Sequence, residues 1–175
     1  MEPGDDATTL SLQEFVTALE SPAAVVDRYL DVVAANRLAG AVTASFTVGT
    51  NLARFTFLNP FVEDSIGSWD LQAERNVGML RDSVERFEED DRFRDLLGEL
   101  MARSPVFATK WAARSAVPER RGVTEFDNPL VGRLALGFEQ LRRHGDDEYV
   151  VVLWAPVDDA ARAGLRRLRE LVADV

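Results

Sequence analysis

A chain of 175 residues and 19.4 kDa, 46% hydrophobic and 29% charged, has the size and composition of one folded domain with a real core. Its formal net charge of −10 and pI near 4.6 give no field to gather a phosphate backbone, so this chain alone is not expected to bind DNA. With no cysteine there is no disulfide, thiolate metal site or cysteinyl adduct, and the single histidine, His144 in the turn-like "RRHGDDE", reads as a solvated loop residue rather than a metal or haem ligand.

The first ten residues, "MEPGDDATTL", carry no basic segment followed by an apolar run and read as a flexible leader to a single domain over 11–175. No stretch reaches the roughly 18 apolar residues that a membrane span requires, and a cytoplasmic protein is expected. "SLQE" from Ser11 is a capping box, after which Leu12, Phe15, Val16 and Leu19 recur at helical spacing. Residues 22–36 hold two β-branched runs, "AAVV" and "DVVAA", around "DRYL", the pattern of a hairpin. Asn36 is placed to cap a helix bearing Leu38, Val42 and Phe46 at intervals of four.

A helical middle follows. Arg54, Phe55, Phe57 and Leu58 form one piece that Pro60 ends; Val77, Leu80, Val84 and Phe87 mark a second stripe, and Phe93, Leu96, Leu97, Leu100 and Met101 a third. Between the last two, "EEDD" reads as a solvated corner. In "SPVFATKWAA", Ser104 and Pro105 form an N-cap and first-turn pair, which puts Phe107 and Trp111 on one face and turns Lys110 away from them.

The period changes again toward the end. "GVTEFD" and "VGRLALGF" read as strands, the second with Leu134, Leu136 and Phe138 on one face. "YVVVLWA" is apolar throughout, as a strand covered on both faces must be, so it belongs in the middle of a sheet, between the first pair and the next two strands. From Asp158 a last helix carries Leu165, Leu168 and Val172 inward and an arginine-rich face outward. The order is α+β: a five-stranded antiparallel sheet with a helical insert and helices at both ends.

"AAVVDRYLDVVAAN", with an aspartate ending the first strand and an asparagine opening the helix, resembles the start of a PAS domain. "NLARFTFLNP", "ELMARSPVFATKW" and "NPLVGRLALGFE", in this order, resemble the ligand-binding domain of MmyB-like transcription regulators, over about residues 12–157. Asn51, Arg54, Phe57, Pro60, Arg103, Ser104, Phe107 and Trp111 match that pattern. Arg114 and Ser115 stand where the family commonly has histidine and aspartate, and Asn128 where it has histidine before proline. The resemblance implies a PAS-like fold with an enlarged helical insert, an apolar cavity able to hold a fatty acid, and no other cofactor. It also implies an N-terminal helix-turn-helix domain, which a ten-residue leader does not supply, so DNA is expected to be met only through a domain outside this chain.

On that reading Phe55, Phe57, Met101, Phe107 and Trp111 are walls facing the sheet residues Leu134, Leu136 and Leu153, and Arg54 and Arg103 are candidate clamps for a carboxylate. The competing reading is that the aromatics fill the core and the arginines are surface groups. The functional expectation is a sensor that binds a fatty acid or similar amphiphile and signals through a homodimer; the alternative is a dimerisation module with no ligand. No P-loop, Gly-rich dinucleotide turn, nucleophile elbow or histidine base is present, and no enzyme is expected.

Overall fold

A computed structural model describes residues 11–62, 68–114, 118–143 and 146–173, the side chains of Arg143 and Asp146 excepted. The expected leader over residues 1–10, Ser115 and His144 lie outside the described residues.

Five strands form one antiparallel sheet: β1 (Ala23–Val26), β2 (Val32–Ala35), β3 (Arg121–Asn128), β4 (Gly132–Arg143) and β5 (Asp146–Pro156), in the spatial order β2-β1-β5-β4-β3. β5 is central, as its uninterrupted apolar run requires. Register with β1 and β4 turns Val150, Val152 and Trp154 to the inner face with Leu136 and Phe138, and Val151 and Leu153 to the outer face. There a short helix α1, residues 11–17, covers them with Leu12 and Val16.

The insert between β2 and β3 packs on the inner face. It comprises α2 (Arg37–Val42), a 3-10 turn (Ala44–Phe46), α3 (Leu52–Leu58), α4 (Trp69–Arg86), α5 (Asp91–Arg103) and α6 (Pro105–Ala113). α7 (Asp159–Ala173) completes that layer with Ala161, Leu165 and Leu168 buried. It approaches β4 so closely that a Cβ on Gly164 would lie 2.5 Å from Leu134. The helix expected from Asn36 stops at Val42 because Thr43 is extended and caps the turn that carries Phe46.

Asparagines at the junctions hold this arrangement together. Asn36 Oδ1 accepts from the backbone N–H groups of Ala23 (3.2 Å) and Ala39 (3.0 Å), and its Nδ2 donates to carbonyls of α1 and the following turn, including Ser21 at 2.7 Å. One side chain thus satisfies orphan groups of β1, α1 and α2. Asn128 donates to the carbonyls of Ala41 (2.7 Å) and Val42 (3.1 Å), tying the end of β3 to the end of α2.

The β1–β2 turn places Leu30 at φ 66 with its side chain buried. Asp27 offsets this left-handed backbone by accepting from the N–H groups of Tyr29 and Asp31, both at 2.9 Å. Burial pushes the Asp27 carboxyl up to about 6; the Asp31 charge adds to this, while those N–H groups and Arg92 oppose it. A carboxyl whose folded pKa exceeds its unfolded value holds its proton more tightly when folded. Its stabilising contribution is therefore complete below about 3.8 and is lost as pH rises through about 6. Asp27→Asn keeps an oxygen for both N–H groups, and is expected to raise stability near neutral pH by ~1–2 kcal/mol and to remove the fall across that window. Urea denaturation on either side of the window checks this; equal or lower stability of the variant at neutral pH would mean that pairing with Arg92 outweighs burial.

Candidate ligand site on the inner sheet face

Two cavities lie side by side along the inner face of β3. The outer one, a trough of about 340 Å³, is walled by Ala41 and Val42 of α2, Phe55 of α3, Val62, Phe126 and Leu130, with Asp127 and Asn128 at its polar side. The inner one, about 40 Å³, lies between α4 and the sheet, where Thr124, Phe138, Gln140 and Trp154 face Gln72, Arg75, Asn76 and Met79. Alternation along β3 orders them, since Thr124 faces the inner cavity and Phe126, two residues on, faces the trough.

Phe46 lines the inner cavity and reaches toward the trough. Its ring is 4.2 Å from that of Trp154 and meets Phe126 edge-on at 6.1 Å, so it touches a wall of each cavity. It comes from a 3-10 turn rather than from a long helix, so only a short piece of backbone holds it in place.

The inner cavity is polar at one end. Arg75 is 8% exposed, and among the described residues no other charged residue is buried to this degree. Its Nε donates to Glu119 (2.9 Å), Nη1 to the Thr124 hydroxyl (2.7 Å) and Nη2 to the Val123 carbonyl (2.9 Å). The guanidinium also stacks 4.4 Å from the centre of the Phe138 ring. Gly122 permits this approach, because a Cβ there would lie 3.1 Å from Nη2 and 3.0 Å from Phe138. Asn76 is satisfied by Thr56 (2.8 Å) and Leu52 (3.3 Å). Two amides are not: Gln140 Nε2 has only the Met79 thioether at 3.4 Å, a weak acceptor, and the Gln72 side chain has no hydrogen-bond partner among the described residues.

The residues singled out from the sequence are divided among several places. Phe55 lines the trough, and Leu136 is fully buried on the inner face. Leu153 does not join them: it faces outward under α1, and Trp154 takes the inward position. Phe57, Phe107 and Trp111 form a continuous aromatic row, Phe57 edge-on to Phe107 at 5.0 Å and Phe107 stacked on Trp111 at 5.6 Å. Phe107 has no exposed surface, so the middle of the row is close packing between helices, while Trp111 at its end also borders an open cleft of about 640 Å³ with Arg81, Val84 and Arg114. Met101 is half exposed on α5.

Arg54 and Arg103 do converge, but on Glu99. Arg54 Nε lies 2.7 Å from one of its oxygens and Arg103 Nη1 2.7 Å from the other. The Arg54 hydrogen bond, then the charges of both arginines, hold the Glu99 carboxyl below its usual range. Arg103 also borders a separate cleft of about 230 Å³ beside Phe57, Leu58, Trp69 and Val106. Lys110 points away from the aromatic row to Asp70 (2.6 Å) and Glu74 (3.4 Å).

Sequence reasoning missed Arg75, Phe46 and the amides around them. The available signal was a polar stripe in α4: Gln72, Arg75, Asn76 and Met79 at spacings of three and four occupy one helix face, which is the face turned to the sheet.

Residues 9–168 match the family model for the MmyB-like transcription regulator ligand binding domain. No curated protein matches the chain. Among solved structures, the PAS domain of BvgS from Bordetella pertussis is similar at 14% identity, with a TM-score of 0.38, over 97% of this chain and 99% of that one. The RpfR quorum-sensing receptor PAS domain from Cronobacter turicensis, solved in complex with C12:0, is similar at 12% identity and a TM-score of 0.36, over 82% and 99%. The PAS domain of an HTR-like protein from Haloarcula marismortui is similar at 11% identity and a TM-score of 0.36, over 88% and 95%.

Proposed function

Because the chain belongs to the MmyB-like transcription regulator ligand-binding family, we propose that it is a cytoplasmic, non-catalytic sensor of a fatty acid or similar single-chain amphiphile. In this reading the molecule lies on the inner sheet face and its presence is passed to a dimer interface. The supporting observation is the pair of cavities, about 340 and 40 Å³, with Phe46, which lines the smaller, edge-on to Phe126, a wall of the larger. At ~30 Å³ for each non-hydrogen atom, the volume of a water in the liquid, they hold on the order of a dozen such atoms, the size of a ten-carbon acid.

The dimer interface is assigned to the outer sheet face beyond α1, where Val123, Leu141 and Val157 are about half exposed. Among the described residues no helix is long and apolar enough to cross a membrane.

A second reading, an interaction module that binds nothing small, is favoured by the packed aromatic row, in which Phe107 is fully buried. Native mass spectrometry of delipidated protein mixed with decanoic acid separates the two. One acid per subunit, with a melting temperature that climbs with ligand excess as linkage requires, is expected of the sensor. Dimers with no adduct at any concentration below the micelle threshold would leave only the interaction module.

A further inference from the structure

We infer that Arg75 anchors the ligand's head group: the ligand is an acid that lies with its carboxylate inward on the Arg75 guanidinium, its chain passing Phe46 into the trough. This rests on the sensing reading above and adds to it the charge and orientation of the ligand.

Four observations converge. The only buried charged residue among the described residues lines the smaller cavity. Three of its donors are engaged, of the five that a guanidinium carries, so it has capacity left for a second acceptor. Gln72 and Gln140, partly exposed beside it, make no strong hydrogen bond to the protein and so are available to a polar ligand. The trough rim carries Asp127, which disfavours an anion there and leaves that end to the chain.

The exchange is balanced in charge. Glu119, the present partner of Arg75, has a side chain 53% exposed and returns to water at small cost when another carboxylate takes its place. The guanidinium stays paired throughout, and the head group takes the space that Glu119 leaves, since the 40 Å³ cavity alone has room for about one non-hydrogen atom. Glu119 stands just before β3, so replacing it releases the approach to an edge strand of the sheet. Arg54 and Arg103 compete poorly, since their side chains are 45% and 60% exposed and water screens their charge, whereas Arg75 is buried.

The test compares decanoic acid with 1-decanol on the full chain by titration calorimetry. Arg75→Met is expected to weaken the acid by about 10- to 100-fold and the alcohol by less than about threefold, since only the acid makes the charge-assisted contact. Glu119→Gln, at an exposed position, removes the internal competitor; it should tighten the acid by roughly three- to tenfold and leave the alcohol unchanged. If circular dichroism shows that Arg75→Met does not fold, the glutamate variant decides alone. An unchanged acid affinity in Glu119→Gln, or equal losses of acid and alcohol in Arg75→Met, overturns the anchor while leaving the sensor intact, and a loss on Arg103→Ala in its place would put the head group in the separate cleft. Wild-type protein that binds neither compound removes the sensing reading itself, and the anchor with it.

Discussion

Phe107→Ala is expected to lower stability by about 3–5 kcal/mol, the cost of truncating a fully enclosed aromatic ring. The ring has no exposed surface and lies between Phe57, edge-on at 5.0 Å, and Trp111, stacked at 5.6 Å. It joins α3 to α6, and each such aromatic pair adds ~0.5–1.5 kcal/mol beyond the area it buries. Trp111→Ala should cost less, because that indole is only partly buried and its outer side is covered by the Arg81 guanidinium, 5.0 Å from the ring. The measurement is the urea midpoint of the two variants, with the slope unchanged from wild type. A loss below about 1.5 kcal/mol for Phe107→Ala, together with weaker decanoate binding, would mean that the row is the wall of an open pocket.

Much of the architecture could be read from residues because local chemistry determined it. An apolar run with no polar alternation has to be central, and β5 is; Ser104 accepts from the Phe107 N–H at 3.1 Å, as an N-cap before proline should. That same absence of alternation hid the face of Leu153: where every residue is apolar, no pattern tells inward from outward, and only the register with β1 and the placement of α1 decide it. The site was less legible because its defining contacts are non-local. Arg54 meets Glu99 across 45 positions and Arg75 meets Glu119 across 44, so neither partner can be read from the neighbouring sequence. Conformation hid Phe46 as well. Its spacing from Leu38 and Val42 fits one continuous helix, yet Thr43, extended at φ −157, breaks that helix and places the ring in the wall of the inner cavity.

Lengthening the acid should then report the shape of the trough directly. With the carboxylate held at Arg75, each added methylene enters apolar surroundings and contributes ~0.8 kcal/mol, close to a fourfold gain in affinity. From six to ten carbons the gain accumulates to on the order of 100-fold after the entropy of fixing the chain is subtracted. Beyond the capacity of the 340 Å³ trough the chain end emerges near Asp127 and Leu130, and further methylenes lie in water and add little. A ladder of saturated acids, each titrated below its micelle concentration, is therefore expected to rise steeply and then level off near ten to twelve carbons. The alcohol ladder should run parallel and weaker, since chain burial is common to both and only the head group differs. An affinity independent of length would remove the trough as the chain's site. A steady rise to sixteen carbons would require a cavity longer than these two together, with the helical insert displaced from the sheet to make it.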